Sequence, residues 1–113
     1  MEKDPKIFLL HVLENISLVE NDLKEISEDV FKRNKTLQDA TMRRIEVIGE
    51  AVKNLPDVFK KSHPEVPWRE IASTRDYVIH EYFSIDLDTV WEITQKDFPD
   101  LKLKIGKILN NLS

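Results

Sequence analysis

The spacing of the apolar residues constrains the fold most, because they recur at every third or fourth position through most of the chain. This spacing places side chains on one face of an α-helix, whereas a strand requires strict alternation, which no segment shows. The sequence therefore predicts an all-α bundle of about five helices. The first stripe consists of Ile7, Leu10, Leu13, Ile16, Val19, Leu23 and Ile26.

Capping residues set the expected limits of the two long N-terminal helices. Asp4 is a favourable N-cap before Pro5, so the first helix is predicted to span 5–26. Thr36 followed by Asp39 resembles a capping box, which predicts that the second long helix begins there and runs to Asn54. Short helical turns are expected within 27–36 and 57–61.

The second half of the chain is divided by prolines. A helix is predicted from about Pro67 to Tyr82, and Asp86 or Asp88 is the expected cap of the next. Pro99 is expected to separate that helix from a last one. In the second long helix, Gly49 costs about 1 kcal/mol relative to alanine, which indicates close helix packing at that position.

Composition excludes several function classes. A chain of 113 residues is expected to form one domain over 1–113. Cysteine is absent and only 2 glycines occur, so thiolate chemistry and glycine-rich phosphate loops are excluded. A net charge of −4 argues against a protein that coats DNA electrostatically. With no signal peptide or long apolar run, a soluble cytoplasmic protein without membrane contact is expected.

The sequence gives little support for a metal or cofactor site, and none is predicted. Of the three histidines, His11 and His63 are interpreted as ordinary helix and connector residues, and no two share a helical face. Glu46 and Glu50, four residues apart, are interpreted as an ion-paired or solvated face rather than a carboxylate site.

The segment 75–82 contains several side chains that can take part in catalysis or ligand binding. On one helix Asp76 and His80 share a face, so the carboxylate can fix the imidazole tautomer. Arg75 and Tyr82 nearly eclipse each other, and Arg75 falls on the apolar side. The simpler alternatives are an internal ion pair for Arg75, a satisfied core histidine at His80 and a capping role for Asp76. Tyr82 is then an amphipathic residue at an interface rim.

The spacing Arg75-x4-His80-x-Tyr82 resembles the motif of HEPN-domain ribonucleases, and the chain is most similar to HepT toxins of HepT–MntA toxin–antitoxin pairs. The segments 44–51, 67–72, 82–86 and 90–91 resemble that family as well, and the similarity extends over about residues 10–109. The chain departs from the family at Ser73-Thr74, where glycine is common, and at Asp76, where asparagine is common.

This resemblance implies a symmetric helical homodimer whose two Arg/His motifs meet in a cleft at the interface. It also implies a metal-independent endoribonuclease whose RNA substrates include tRNA or mRNA. RNA carries its own nucleophile, the 2′-hydroxyl. His80 would act as acid or base, Arg75 would bind the phosphate, and Asp76 would be auxiliary. Trp68, Trp91 and Phe83 are assigned to the core or the interface.

The resemblance also implies regulation at Tyr82. In the family, an MntA-like nucleotidyltransferase antitoxin transfers adenylate from ATP to this tyrosine, which would block RNA and neutralise Arg75. An alternative of another class is a non-catalytic helical dimer that serves as partner or substrate-recruiting subunit of a nucleotidyltransferase. The acidic net charge and Asp76 favour this alternative slightly, whereas the intact set of Arg75, His80 and Tyr82 favours the nuclease.

Overall fold

The computed structural model describes residues 4–112, and this part of the chain contains helices and no strand. The predicted all-α fold is therefore confirmed. A 3₁₀ turn, Tyr82–Ser84, follows the fifth helix, and a π-helical segment, Ile93–Asp97, joins the last two. The helices are α1 (Pro5–Leu23), α2 (Glu28–Arg33), α3 (Lys35–Lys53), α4 (Asp57–Ser62), α5 (Trp68–His80), α6 (Leu87–Glu92) and α7 (Phe98–Leu112).

The first helix begins as predicted and ends earlier. The Asp4 carboxylate accepts a hydrogen bond from the backbone N–H of Lys6 at 3.0 Å. The helix stops at Leu23 rather than Ile26, because Lys24 has a non-helical ψ of 126° and Glu25 has a φ of 63°. A left-handed residue cannot continue a right-handed helix. Ile26 still packs against the core, which explains why it fits the apolar stripe.

The second long helix begins one residue earlier than the predicted cap. Asn34 is the N-cap of α3, and its side-chain oxygen accepts from the backbone N–H of Leu37 at 3.0 Å. The predicted capping box of Thr36 and Asp39 is therefore wrong, since both residues lie inside the helix. Asp39 is left with a carboxylate that is free to contact another element.

The predicted break at Pro99 is also wrong. Ile93 and Phe98 have right-handed helical dihedral angles, so the chain is helical without interruption from Leu87 to Leu112. Proline cannot donate to the carbonyl four residues before it, and its ring collides with that carbonyl in a regular α-helix. The π-helical segment Ile93–Asp97 contains Gln95, four residues before Pro99, and widens the helix where this collision would occur.

Helix α3 lies at the centre of the fold and packs against α1 and α5, while α7 packs on α1. Arg75 contacts Glu50 and the later Tyr82 contacts the earlier Asp39, which shows that α5 runs antiparallel to α3. At their crossing, a Cβ atom added to Gly49 would overlap the Cβ atom of Arg75, which confirms the predicted close packing at this glycine. The fully buried core includes Leu9, Ile16, Phe31, Ile45, Ile48, Val78 and Ile105.

The aromatic residues assigned to core or interface separate into two groups. Trp68 is buried and donates from Nε1 to the carbonyl of His63 at 2.9 Å. Trp91 is half-buried, with its ring centroid 5.4 Å from that of Phe31. Phe83 is 100% exposed, so it takes no part in the core of a single chain.

Among residues 4–112, no helix combines the length and the apolar character that crossing a membrane requires.

Candidate active site

Arg75 lies in the middle of α5 and is held by carboxylates on both sides. Its Nε donates to Oε2 of Glu50 at 2.8 Å, and its Nη1 donates to Oδ1 of Asp76 at 3.1 Å. The Nζ atom of Lys53 lies 3.7 Å from the same Asp76 oxygen. These four side chains carry two positive and two negative charges. The internal ion pair given as the simpler alternative for Arg75 is present, and Glu50 belongs to an ion-paired face as predicted.

The guanidinium borders an open cleft of about 340 Å³ on the outer face of α3. Arg43, whose Nη1 lies 3.3 Å from the Glu46 carboxylate, forms part of its floor. One wall is formed by α5 and the other by the first half of α1. The cleft is lined by Phe8, His11, Arg43, Glu46, Val47, Glu50, Ala51, Asn54, Arg75 and Ile79.

His80 is the last residue of α5 and is exposed to solvent. The predicted contact with Asp76 is not formed, because the Asp76 carboxylate faces Arg75 and Lys53 instead. No side chain within residues 4–112 donates to, accepts from or forms an ion pair with the His80 imidazole. The alternative of a satisfied core histidine is therefore wrong, and the ring is available to a ligand or a second chain.

The structure does not bring Arg75 and His80 together within one chain. Five residues along an α-helix correspond to a rotation of about 140° and a rise of about 7.5 Å. Arg75 therefore faces the cleft beside α3, whereas His80 points to a different side of α5. Any phosphate that contacts both side chains must lie beyond the end of the helix or between two chains.

Tyr82 does not lie beside Arg75, and the predicted eclipse of the two is wrong. The helix ends at His80, so Tyr82 lies in the following 3₁₀ turn. Its hydroxyl donates to Oδ1 of Asp39 at 3.0 Å, near the start of α3. Asp39 and Glu50, which bind Tyr82 and Arg75 respectively, are eleven residues apart on α3, or about 16 Å along its axis.

Lys35 completes the contacts of Tyr82. Its Nζ atom donates to the Tyr82 hydroxyl at 3.2 Å, lies 3.2 Å from Oδ1 of Asp39, and lies 4.7 Å from the centroid of the Tyr82 ring. The hydrogen bond with Tyr82, followed by that with Asp39, raises the pKa of the Lys35 ammonium above its usual value.

Lys35, Asp39 and Lys53 were not identified as site residues from the sequence. They lie 22 or more positions before the segment 75–82, and no local spacing connects them to it. The available signal was the charged face of α3, where charges recur at helical spacing. His11, interpreted as an ordinary helix residue, is exposed and lines the cleft that contains Arg75.

A larger cavity of about 500 Å³ lies between α5, the π-helical segment and α7. Its lining includes Ile71, Ile93, Phe98 and Leu101 and none of the four residues singled out in the segment 75–82. Burial, with the nearby Glu92 and Asp100 carboxylates, raises the pKa of the neighbouring Asp97. The cavity is thus separate from the proposed chemistry.

The helical fold, with an arginine in a cleft and an exposed histidine at the end of the same helix, fits a HEPN-type domain. Residues 12–108 match the family described as Ribonuclease HepT-like, and the chain belongs to this family. The family resemblance noted in the sequence is confirmed.

Curated relatives agree with this assignment. The chain is 50% identical over 112 residues to a Methanocaldococcus jannaschii protein named "Gamma-glutamylcyclotransferase and putative RNase"; the match covers 99% of this chain and 50% of that protein. It is 43% identical over 108 residues to the "Probable ribonuclease HepT" of Thermococcus cleftensis, covering 96% of this chain and 98% of the relative. The chain thus spans half of the first relative and nearly all of the second. No solved structure matches at a significant level.

Proposed function

We propose that this chain is an endoribonuclease that cleaves RNA with Arg75 and His80. The observation that carries the proposal is their placement on one helix: Arg75 opens into a cleft, and His80 ends the helix without a partner in residues 4–112. Membership of the HepT-like ribonuclease family supports the same activity.

The chemistry requires only groups that RNA and this helix supply. An imidazole takes the proton of the 2′-hydroxyl, whose oxygen then attacks the adjacent phosphorus. The bond from phosphorus to the 5′-oxygen breaks, and a protonated imidazole gives that oxygen its proton. The Arg75 guanidinium forms charge-assisted hydrogen bonds to the phosphate and stabilises the additional negative charge in the transition state. Asp76 has a positioning role, since it contacts Arg75 rather than His80.

We further propose that the working unit is a symmetric homodimer with the active site at the interface. One α5 presents Arg75 and His80 in different directions, so a second copy is the simplest way to place an arginine and two histidines around one phosphate. Apolar side chains near the site favour such an interface: Ile79 and Phe83 follow Arg75, and Ile7 and Leu10 lie on α1, which forms the opposite wall of the cleft.

Regulation at Tyr82 by an MntA-like nucleotidyltransferase, as part of a cytoplasmic toxin–antitoxin pair, is the second part of the proposal. Tyr82 is 38% exposed, so a partner enzyme can reach its hydroxyl. Because that hydroxyl is about 16 Å along α3 from the Arg75 contact, an adenylate does not act by neutralising Arg75 of the same chain. It acts by occupying the approach to His80, two residues away.

The alternative is a non-catalytic helical partner of a nucleotidyltransferase. One observation favours it: Glu50 and Asp76 already neutralise Arg75, so a phosphate must compete with two carboxylates for the guanidinium.

Cleavage of total RNA and tRNA in EDTA by the purified protein, unmodified by intact mass, separates the two functions. Arg75→Ala and His80→Ala are each expected to lower the rate at least about 100-fold, because each removes a group that acts on the reacting phosphate. Arg33→Ala and His63→Gln are the matched controls outside the cleft and are expected to cleave normally.

An unmodified, dimeric wild type that leaves the whole RNA panel intact would establish the partner function instead. Loss of cleavage in EDTA that returns with a divalent cation would overturn metal independence. Light scattering at micromolar concentration tests the dimer, and a monomer would contradict it.

A further inference from the structure

The Tyr82 hydroxyl is the only phenol in residues 4–112 that donates to a carboxylate. It donates to Asp39 and accepts from Lys35, and the two α3 side chains are also paired with each other. The pair lies one helical turn apart on an exposed face, so it has no role in the core. Two side chains of α3 thus converge on the single hydroxyl oxygen of Tyr82 at the surface.

We propose that Asp39 and Lys35 prepare Tyr82 as a nucleophile, with Asp39 accepting the phenolic proton and Lys35 stabilising the negative charge that develops on the oxygen. This inference rests on the proposed modification of Tyr82 and assigns part of that chemistry to the modified protein itself. The partner enzyme would then need to bind and activate only the nucleoside triphosphate.

The Tyr82 oxygen forms a bond to the α-phosphorus of a nucleoside triphosphate, and the bond from that phosphorus to the bridging oxygen breaks. Pyrophosphate leaves with the electron pair, and the phenolic proton passes to the Asp39 carboxylate across the 3.0 Å hydrogen bond. Lys35 remains within ion-pairing distance of the new phosphodiester, so it has an anionic partner before and after transfer.

Tyr77 provides an internal comparison within the same chain. Its hydroxyl accepts from the backbone N–H of Asp86 at 2.9 Å, and no carboxylate in the described part of the chain accepts its proton. It is also half-buried. The chain contains 2 tyrosines, so each can be followed separately in one experiment.

The test measures the intrinsic reactivity of the two phenols. The purified full chain is treated with N-acetylimidazole, and in parallel with adenosine 5′-phosphorimidazolide, and mass spectrometry of peptides gives the rate at each tyrosine. Tyr82 is expected to react faster than Tyr77. Asp39→Asn is expected to lower the reaction rate at Tyr82 by about tenfold, which is a modest share of what a positioned base contributes. Asp39→Glu is expected to restore that rate. Lys35→Met is expected to slow Tyr82 as well.

Glu46→Gln is the matched control, because Glu46 lies on the same face of α3 but pairs with Arg43. It is expected to leave both tyrosine rates unchanged, and Tyr77 serves as the reference for folding in every variant. An unchanged or faster Tyr82 rate in Asp39→Asn would overturn the proposal. These rates require no RNA cleavage, so a wild type that fails to cut RNA while Tyr82 depends on Asp39 would contradict only the nuclease.

Discussion

The two ends of the interface between α3 and α5 are built differently. At the Arg75 end the backbones approach so closely that Gly49 has no room for a methyl group, and Arg75 is mostly covered. At the Tyr82 end the helix has already finished, and the contacts to Lys35 and Asp39 join exposed side chains only. Packing fixes the first end, and polar contacts at the surface hold the second.

This difference matches what each end is proposed to do. Phosphate binding and transition-state stabilisation require a group that is already in position, because reorganisation during the reaction raises the barrier. A site of modification must instead enter the active site of another enzyme, which a loosely held turn permits. The same helix pair supplies a rigid position and an accessible one.

The largest expected effect comes from breaking the packed end with Gly49→Ala. The added Cβ overlaps that of Arg75, so α3 and α5 must move apart, and overpacking of this kind costs about 1–3 kcal/mol. Urea unfolding measures this loss, and RNA cleavage should fall with it. The control is Gly106→Ala, where a Cβ meets nothing within 4 Å, so helix propensity should stabilise that variant by up to about 1 kcal/mol. Equal stabilities for the two variants would contradict close packing at Gly49.

Glu50→Gln tests whether the carboxylate that pairs with Arg75 at the packed end competes with RNA. Without the Glu50 carboxylate, Arg75 retains only Asp76, and a phosphate has less to displace. Because the Glu50 side chain is 55% exposed, solvent screens this ion pair and it contributes about 0.2–1 kcal/mol. Affinity for a non-cleavable RNA should therefore rise by up to about fivefold. Glu46→Gln, which frees Arg43 instead, is the control in the same cleft. Weaker binding by Glu50→Gln would show that Glu50 positions Arg75 rather than competes with RNA.

The smallest effect is expected at the loosely held end. Tyr82→Phe removes hydrogen bonds between exposed groups and should change the free energy of unfolding by less than about 0.5 kcal/mol. Tyr77→Phe removes the acceptor of the Asp86 backbone N–H and should cost about 1 kcal/mol. Thermal or urea unfolding of the two variants side by side checks this, and a larger loss for Tyr82→Phe would reverse the comparison.

Most of the fold was predictable because it follows from local pattern. Apolar spacing located the long helices, and Asp4 and Asp86 act as the expected caps. The errors at Thr36 and Pro99 have physical causes that local rules miss. A better cap, Asn34, stood two positions earlier, and a π-helical segment removed the collision that makes proline a helix breaker.

The site was predictable only in part. Helical geometry placed Arg75 on an apolar face that required a partner, and Glu50 is that partner. The same geometry failed at Tyr82, because it assumed that the helix continues to Tyr82, whereas the helix stops at His80. Lys35 and Asp39 could not be identified from the sequence, because only the antiparallel packing of α3 on α5 brings them to Tyr82.

The ion pairs around Arg75 also affect how binding responds to salt. A protein that neutralises phosphates with free cations releases condensed counterions, and its affinity falls steeply as salt rises. Glu50 and Asp76 already act as counterions of Arg75, so a phosphate meets a guanidinium whose charge is balanced by carboxylates. Added salt weakens the internal pairs together with the RNA contact. The salt dependence of RNA affinity should therefore be flatter than the number of phosphate contacts implies.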